Sequence, residues 1–335
     1  MPNHAKLVEA ATAAVADACT VCRAVQKALE KVKAITKDDK SPVTVADYAS
    51  QAVVAHRLSR ALGQVVLVGE EASATLRQDE FAPHREATLA AVREVWPDAS
   101  EKDMLDAIDM GVSDTHHAGF WTLDPVDGTK GFLRGQQYAV ALAYIERGVP
   151  VVGVLGCPNL PRDFSLPLDE ADKHGSIYTA VAGEGVYELA ADEPSAKPLH
   201  IQRLDHSKGE PITVCESVES GHSKQDDTAR IMDLIGERGE PVRLDSQCKY
   251  AVVGRGQADA YLRLPTKKGY VERIWDHAAG SLVATEAGCF VTDIFGRALD
   301  FSQGRGLEKN LGIVCAPPRV HGLLIGAIEK LGIGK

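Results

Sequence analysis

The sequence has no long apolar run and no excess of positive charge. No stretch of its 335 residues approaches the roughly 20 consecutive apolar residues that span a bilayer. The start of the chain also lacks the basic and apolar segments of a secretory signal. We therefore expect a cytoplasmic protein with no membrane partner. The formal net charge of −10 argues against nucleic acid as a partner, because a phosphate backbone is bound by a basic surface.

Cysteine is sparse and scattered along the chain. There are seven cysteines, and an odd number without regular spacing is typical of a reduced intracellular compartment. Cys19 and Cys22 form a CxxC pattern inside a helical repeat, with no second pair nearby. We interpret both as small packing residues, and the alternative is a redox role.

The first part of the chain alternates helical and extended segments. Apolar or small residues spaced by three and four predict a helix over 5–33, and a second helix begins near Asp47. The segment QVVLVGEE at 64–71 predicts a buried strand followed by a turn. GFWTL at 119–123 predicts a short strand that runs into a loop.

The second part continues with strands and turns. Residues 138–158 predict a hairpin that turns at Arg147–Gly148. Farther on, strands alternate with helices, and one helix stops at Gly288 before another strand. We place a domain boundary after the hairpin, which gives an N-terminal domain of residues 1–157 and a C-terminal domain of residues 158–335.

Four acidic segments lie at the end of a strand-like run or at the start of a helix: VADY around Asp47, VGEE at 68–71, DPVDGT at 124–129 and WD at 275–276. Such edges hold functional groups on a rigid frame. A tight turn in DPVDGT lets two carboxylates face one point, and oxygen-only ligands suit magnesium. The cage would combine two carboxylates of this loop, one backbone carbonyl and two acids from other segments, namely Asp124, Asp127, the Val126 carbonyl, Glu70 and Asp276.

Each acidic segment also has an ordinary structural interpretation. Asp-Pro commonly starts a type I turn. Asp47 and Asp276 could be helix N-caps, and Glu70 and Glu71 could form a solvated turn. Periodicity alone does not bring these segments together in space.

A resemblance to a known family joins the segments. VTVADY, GEE, DPVDGT and WD occur over residues 41–280 in the order found in the lithium-sensitive, magnesium-dependent phosphomonoesterases, the superfamily of the inositol monophosphatases. Four further segments resemble the 3′(2′),5′-bisphosphate nucleotidases: GTKGFLRG at 128–135, LDSQCKY at 244–250, ADAYLRLP at 258–265 and IWDHAAG at 274–280.

The resemblance implies both a fold and an activity. The fold is α/β, with two domains and alternating αβαβα layers. The activity is removal of the 3′-phosphate from adenosine 3′,5′-bisphosphate, which leaves AMP, with 3′-phosphoadenosine-5′-phosphosulfate as a further candidate substrate in sulfur assimilation. The implied cofactor is magnesium, as two or three ions, and the enzyme would be inhibited by lithium and by calcium.

The resemblance also implies roles for individual residues. Asp47 and Thr129 would orient and activate the attacking water. The metal ligands would be the five groups of the cage described above. Substrate would be bound by Gly128, Thr129, His222, Ser246, Lys249, Arg263 and Asp276.

Several alternatives remain open from the sequence. An aspartate nucleophile of the haloacid dehalogenase type also precedes Gly-Thr, but one residue separates its acids, whereas two separate Asp124 from Asp127. An inositol polyphosphate 1-phosphatase would share the metal site without an adenine pocket. A non-catalytic nucleotide sensor would not need both Asp47 and Thr129.

We expect a monomer, because no exposed apolar stripe stands out in an acidic chain.

Overall fold

Helices occupy both ends and the middle of the chain. The computed structural model describes residues 4–28, 35–36, 42–43, 45–218, 225–267 and 269–334. Within these ranges the helices are α1 (His4–Lys27), α2 (Val45–Leu62), α3 (Ala82–Val92), α4 (Glu101–Asp109), α5 (Thr129–Leu133), α6 (Gln225–Ile235), α7 (Cys248–Gly254), α8 (Ala278–Ala287) and α9 (Pro318–Leu331).

The strands lie between these helices. They are β1 (Ile35–Thr36), β2 (Pro42–Val43), β3 (Leu67–Gly69), β4 (Gly119–Asp127), β5 (Ala139–Glu146), β6 (Val149–Cys157), β7 (Ser176–Val181), β8 (Gly185–Ala190), β9 (Leu199–Ile201), β10 (Val214–Glu216), β11 (Val242–Arg243), β12 (Ala260–Arg263), β13 (Phe290–Thr292) and β14 (Ile313–Ala316).

The strands form two large sheets and one short pair. A seven-stranded sheet follows chain order from β3 to β9, and a five-stranded sheet has the order β11-β10-β12-β14-β13. In the larger sheet, β3 and β4 are parallel and the following strands are antiparallel. β1 and β2 pair separately with each other.

The helices cover both sheets in successive layers. α1 and α2 pack on one face of the seven-stranded sheet. α8 packs on β5, β6 and β7 and also on β13, while α7 packs on β12 and β14, so these two helices separate the sheets. α9 packs on β14 and against α6. The layer order is therefore αβαβα, which confirms the predicted fold class.

Three apolar cores fill the spaces between the layers, because each layer buries a face against its neighbour. The first joins α1 and α2 to residues such as Leu142, and the second joins α7 and α8 to both sheets. The third lies between the five-stranded sheet and α9, around Leu262 and Leu324. All seven cysteines are free and buried. The interpretation of Cys19 and Cys22 as packing residues is confirmed.

Most element predictions agree with the structure, and one was wrong. The hairpin turns at Arg147–Gly148, and α8 ends at Gly288, which has a left-handed φ of 109°. The strand predicted at 119–123, however, continues through the whole DPVD segment to Asp127. The predicted end of the first helix, beyond residue 28, lies outside the described residues.

The division of the chain into two domains stays a prediction. β6 and β7 pair across the proposed boundary at residue 157. The change from one sheet to the other falls between Ile201 and Val214. The change of sheet therefore falls in this interval and not at residue 157.

No helix among the described residues is long and apolar enough to cross a bilayer.

Candidate active site

An irregularity in β4 turns two carboxylates toward the same side of the sheet. Asp124 pairs with Ala141 and Asp127 with Ala139 on β5, so three steps along β4 match two steps along β5. Side chains two apart on a strand share a face, and the extra residue therefore brings Asp127 back to the face of Asp124. Pro125 is compatible with this bulge because it has no N–H to pair.

The charge around Asp124 is negative and only partly compensated. Burial raises the pKa of the Asp124 carboxyl well above its usual range, and the charges of Glu70, Asp127, Asp276 and Asp47 raise it further. Its Oδ1 atom is buried and accepts no hydrogen bond from any described residue. An orphaned carboxylate oxygen among other acids fits a divalent cation bound by oxygen ligands.

The turn that carries Glu70 is fixed by its backbone. The Gly69 amide donates to Gly111 O (2.8 Å) and the Glu70 amide to Leu123 O (3.2 Å). The Gly69 carbonyl accepts a hydrogen bond from the Arg305 guanidinium (2.6 Å). Glu70 is half-buried, and its turn is held by hydrogen bonds on several sides. The interpretation of this segment as a solvated turn was therefore wrong.

Asp47 lies on α2, not at its start. It is the third residue of the helix and is buried, so the alternative that it is an N-cap was wrong. Its charge raises the pKa of the Asp124 carboxyl, after burial and three other acids. Ser50, one turn farther along α2, donates to the Pro125 carbonyl in the β4 bulge (2.8 Å). This hydrogen bond attaches α2 directly to the DPVDGT segment.

Asp276 precedes α8 and is also not a helix cap. The N-cap residue is His277, which makes no side-chain capping bond. Burial raises the pKa of the Asp276 carboxyl; Arg263 opposes this shift, while Asp127, Glu272 and Glu70 reinforce it. The Asp276 carboxyl is therefore close enough to interact electrostatically with the β4 aspartates and with the Arg263 guanidinium group.

Thr129 begins α5, directly after the loop. Its hydroxyl donates to the Val126 carbonyl (3.2 Å), which leaves the hydroxyl oxygen able to accept from a water molecule. The predicted relay from Thr129 to Asp47 stays a prediction.

The loop that precedes α7 lies directly against the DPVDGT segment. Gly128 and Ser246 both have left-handed φ values, 84° and 71°. A Cβ on Gly128 would lie 2.8 Å from the Ser246 Cβ, so glycine permits this close approach. The Gln247 amide donates to the Asp127 carboxylate, and the Gln247 side chain donates to the Trp275 carbonyl (2.9 Å). Gln247, in the LDSQCKY segment, thus contacts both the DPVDGT and the IWDHAAG segments.

Two cations, Lys249 and Arg263, lie within electrostatic reach of the carboxylates. Lys249 is buried, donates to Leu244 O (3.2 Å) and lies 5.1 Å from the centroid of the Tyr261 ring. Burial lowers the pKa of its ammonium group, and the charges of Asp127 and Asp245 oppose that shift. Burial raises the pKa of the Asp127 carboxyl, and the charges of Lys249 and Arg263 oppose that rise.

Arg263 is held by a chain of buried groups. Its Nε donates to Glu272 (2.8 Å), whose other oxygen lies 3.2 Å from His277 Nε2. The Tyr250 hydroxyl lies 2.9 Å from His277 Nδ1. Burial opposes ionisation of Glu272, but Arg263 and His277 lower the pKa of its carboxyl to about 2. Glu272 is therefore ionised and orients the guanidinium group.

The carboxylate oxygens are more widely spaced than one coordination shell requires. In the described part of the chain, the group of acids and histidine with ligand atoms within 4.8 Å of one another is Glu272, Asp276 and His277. Two of these three already bind each other. Of the predicted ligands, Asp276 alone belongs to this group, and the joint binding of an ion by the five predicted ligand groups stays a prediction.

A narrow cavity of about 10 Å³, with room for about one water molecule, lies next to Asp245. Its walls combine amides, acids, one arginine and apolar side chains, namely Gln136, Gln137, Leu168, Asp169, Val218, Arg243, Leu244 and Asp245. Asp245 also pairs with Arg134 at the end of the KGFLRG segment. The predicted nucleoside contact His222 lies outside the described residues.

Sequence reasoning missed the residues that hold this frame. They are Ser50, Gln51, Glu272, His277, Gln247 and Arg305. Gln247 lies within the DSQCKY segment that carries the family resemblance, which was a usable signal. The others bind backbone carbonyls or buried partners, and their spacing in the sequence carries no such signal.

Comparison with known proteins agrees with this geometry. Residues 3–332 match the inositol monophosphatase family. A Schizosaccharomyces pombe protein named 3′(2′),5′-bisphosphate nucleotidase is 43% identical over 295 residues, which cover 84% of this chain and 82% of that protein. A protein of the same name from Emericella nidulans is 41% identical, covering 90% of this chain and 92% of the relative.

A solved structure shares the fold at low sequence identity. The inositol monophosphatase from Anabaena (Nostoc) sp. PCC 7120 superposes with a TM-score of 0.62 at 19% identity, covering 98% of this chain and 97% of that one. The layered fold is that of an inositol monophosphatase. The chain belongs to the inositol monophosphatase family, whose members generally depend on magnesium.

Proposed function

We propose that this protein is a magnesium-dependent 3′(2′),5′-bisphosphate nucleotidase that converts adenosine 3′,5′-bisphosphate into AMP and phosphate. The observation that carries the proposal is the position of Lys249 and Arg263, two cations beside one carboxylate cluster. A substrate with one phosphate needs the metal site alone. A bisphosphate also needs cations for the phosphate that stays attached.

The carboxylates would hold magnesium on the shared face of the β4 bulge. Asp124, Asp127, Glu70 and Asp276, with the Val126 carbonyl, offer oxygen atoms only, which suits magnesium. Bound magnesium would acidify water and stabilise negative charge on phosphoryl oxygens. Lithium and calcium would inhibit by competing for the same oxygen ligands.

The remaining residues would orient water and substrate. Asp47 would accept a proton from the attacking water, and the Thr129 hydroxyl oxygen would align that water with phosphorus. The Gly128 backbone would approach the scissile phosphate, with Asp276 near the sugar. Ser246 and Lys249 would bind the other phosphate together with Arg263, and His222 would contact the nucleoside.

The names of the relatives support a nucleotide over an inositol phosphate. In metabolism, the protein would remove a bisphosphate by-product of sulfur assimilation. It would do so in the cytoplasm, and it would be a monomer.

A comparison of substrates tests the proposal. Phosphate release would be measured with magnesium for adenosine 3′,5′-bisphosphate, inositol 1,4-bisphosphate, inositol 1-phosphate and AMP. We expect the highest kcat/KM with the adenosine bisphosphate and little release from AMP, which is the product. A preference for inositol 1,4-bisphosphate would indicate an inositol polyphosphate 1-phosphatase, and binding without any turnover would indicate a nucleotide sensor.

A further inference from the structure

The side-chain amide of Gln51 holds both backbone polar groups of the residue after Glu70. Gln51 is fully buried on α2. Its Nε2 donates to the Glu71 carbonyl (2.8 Å), and its Oε1 accepts from the Glu71 amide (3.1 Å). The second Nε2 proton goes to the Ile108 carbonyl (2.7 Å) at the end of α4. One side chain therefore joins α2, α4 and the Glu70 turn.

Two glycines leave the space in which this amide lies. A Cβ on Gly69 would come closer than 3.0 Å to Gln51 Oε1, and a Cβ on Gly111 would come equally close to Nε2. Neither glycine has a left-handed φ, so backbone conformation does not account for them. The contact with Gln51 does, because any side chain there would displace the amide.

The same face of α2 carries a proposed catalytic group. Residues three and four apart lie side by side on a helix, so Ser50 and Gln51 are the neighbours of Asp47 on the next turn. Ser50 binds the β4 bulge between Asp124 and Asp127. Gln51 binds the turn that carries Glu70. α2 thus contacts both the DPVDGT segment and the turn that carries Glu70. Both contacts lie next to Asp47, which is the residue proposed to activate water.

We propose that Gln51 is a positioning residue that sets the Glu70 carboxylate in place for magnesium. The inference rests on the proposed function, because it needs Glu70 as a metal ligand. Groups that orient a metal ligand typically contribute about 10- to 100-fold in metal affinity or activity. Gln51 itself touches neither the ion nor the substrate.

The test compares magnesium affinity in the full-length native protein and in Gln51→Met. Methionine keeps the length and the apolar stem but makes none of the three hydrogen bonds. We expect the magnesium dissociation constant, measured by titration calorimetry, to rise about tenfold or more. The magnesium concentration for half-maximal activity should rise in parallel. KM for adenosine 3′,5′-bisphosphate at saturating magnesium should stay within about twofold, because Lys249 and Arg263 are unchanged.

A matched control separates positioning from general stability. Glu286 on α8 likewise binds a turn through two backbone amides, those of Gly183 and Gly185 (2.9 Å each). Glu286→Met should lower the melting temperature without changing magnesium affinity. A Gln51→Met variant that loses thermal stability but keeps native magnesium affinity would overturn the proposal.

A second variant reaches the same amide from outside. Gly111→Ala keeps Gln51 but crowds its Nε2, and we expect weaker magnesium binding in the same direction. Combined with Gln51→Met it should add little, because both changes act through one amide. Failure of both single variants to fold would also overturn the proposal, since Gln51 would then maintain the fold itself.

Failure of the proposed function gives a different result. Native protein that binds no magnesium and releases no phosphate would contradict the proposed function. Native protein that does both, with Gln51→Met and Gly111→Ala at native magnesium affinity, would contradict this inference alone.

Discussion

Lys249 is a buried cation that interacts with acids from two parts of the proposed site. It lies beside Asp127 and Asp245, and its ammonium group faces the Tyr261 ring. Burial lowers the pKa of the ammonium group, and the charges of Asp127 and Asp245 oppose that shift. This arrangement is suited to bind an anion that arrives with the substrate.

Replacing Lys249 should affect the bisphosphate selectively. Lys249→Met keeps the volume of the side chain and removes its charge. A charge-assisted hydrogen bond contributes about 1.5–3 kcal/mol, so KM for adenosine 3′,5′-bisphosphate should rise about tenfold or more. Hydrolysis of a small phosphate monoester should be nearly unchanged. Equal losses with both substrates would show that Lys249 supports the fold and not the nucleotide.

Arg263 is a less suitable residue for the same experiment. Its guanidinium group is the ion-pair partner of the buried Glu272. Removing it would leave a buried carboxylate without its main countercharge, which destabilises a protein strongly. Loss of activity in Arg263→Ala would therefore combine two causes.

At the scale of elements, the turn at Gly128, after β4, lies directly against the loop before α7. Gly128→Ala would force an alanine into a left-handed conformation and its Cβ to within 2.8 Å of the Ser246 Cβ. Such strain costs about 1–3 kcal/mol. We expect kcat/KM to fall about tenfold or more, because the two loops must separate.

Gly135→Ala is the matched control for this prediction. Gly135 has a similar φ of 72°, but a Cβ there would have no heavy atom within 4 Å. It should lower stability by a similar amount while kcat/KM stays near native. If both variants lose activity equally, the close approach of the loops does not matter for catalysis.

Elements with clear local signals could be predicted from the sequence, and the bulge could not. The hairpin at Arg147–Gly148 and the stop of α8 at Gly288 follow from residues that tolerate the required backbone. The strand was expected to end at Leu123 because Asp, Pro and Gly are turn residues. β4 continues because its pairing with β5 shifts by one residue, and that depends on a partner strand distant in sequence.

At the scale of the whole molecule, the site joins segments from residue 47 to residue 276. The carboxylates of Asp47, Glu70, Asp124 and Asp276 come from different elements, and their convergence depends on the order of the layers. Residue spacing could not predict this convergence, and the resemblance to a family could. The contacts of Gln51 and Arg305 were missed because they bind backbone carbonyls, which every residue has.

The stability of the whole molecule should depend on magnesium and pH together. The pKa of Asp124 in the folded protein lies above its usual 3.8. At pH values between the two pKa values, the ion-free folded state binds more protons than the unfolded chain. Its free energy of unfolding therefore falls as the pH rises. Magnesium binds the unprotonated carboxylates, so its stabilising effect should grow with pH.

Thermal unfolding measures this linkage. The rise in melting temperature caused by magnesium should be larger at about pH 8 than at about pH 5.5. Sodium chloride at equal ionic strength is the control, because screening alone would act without a specific site. A magnesium effect that is equal at both pH values would be inconsistent with a cluster of buried carboxylates.

The central claim is that the β4 bulge aims Asp124 and its neighbours at magnesium, and one titration tests it most directly. Phosphate release from adenosine 3′,5′-bisphosphate would be followed against magnesium concentration for the native protein and for Asp124→Asn. This variant keeps the shape of the side chain and removes its charge. We expect no release in chelator, full recovery with magnesium in the native protein, and little activity in Asp124→Asn at any magnesium concentration. Full activity in chelator, or native magnesium dependence in Asp124→Asn, would contradict the account.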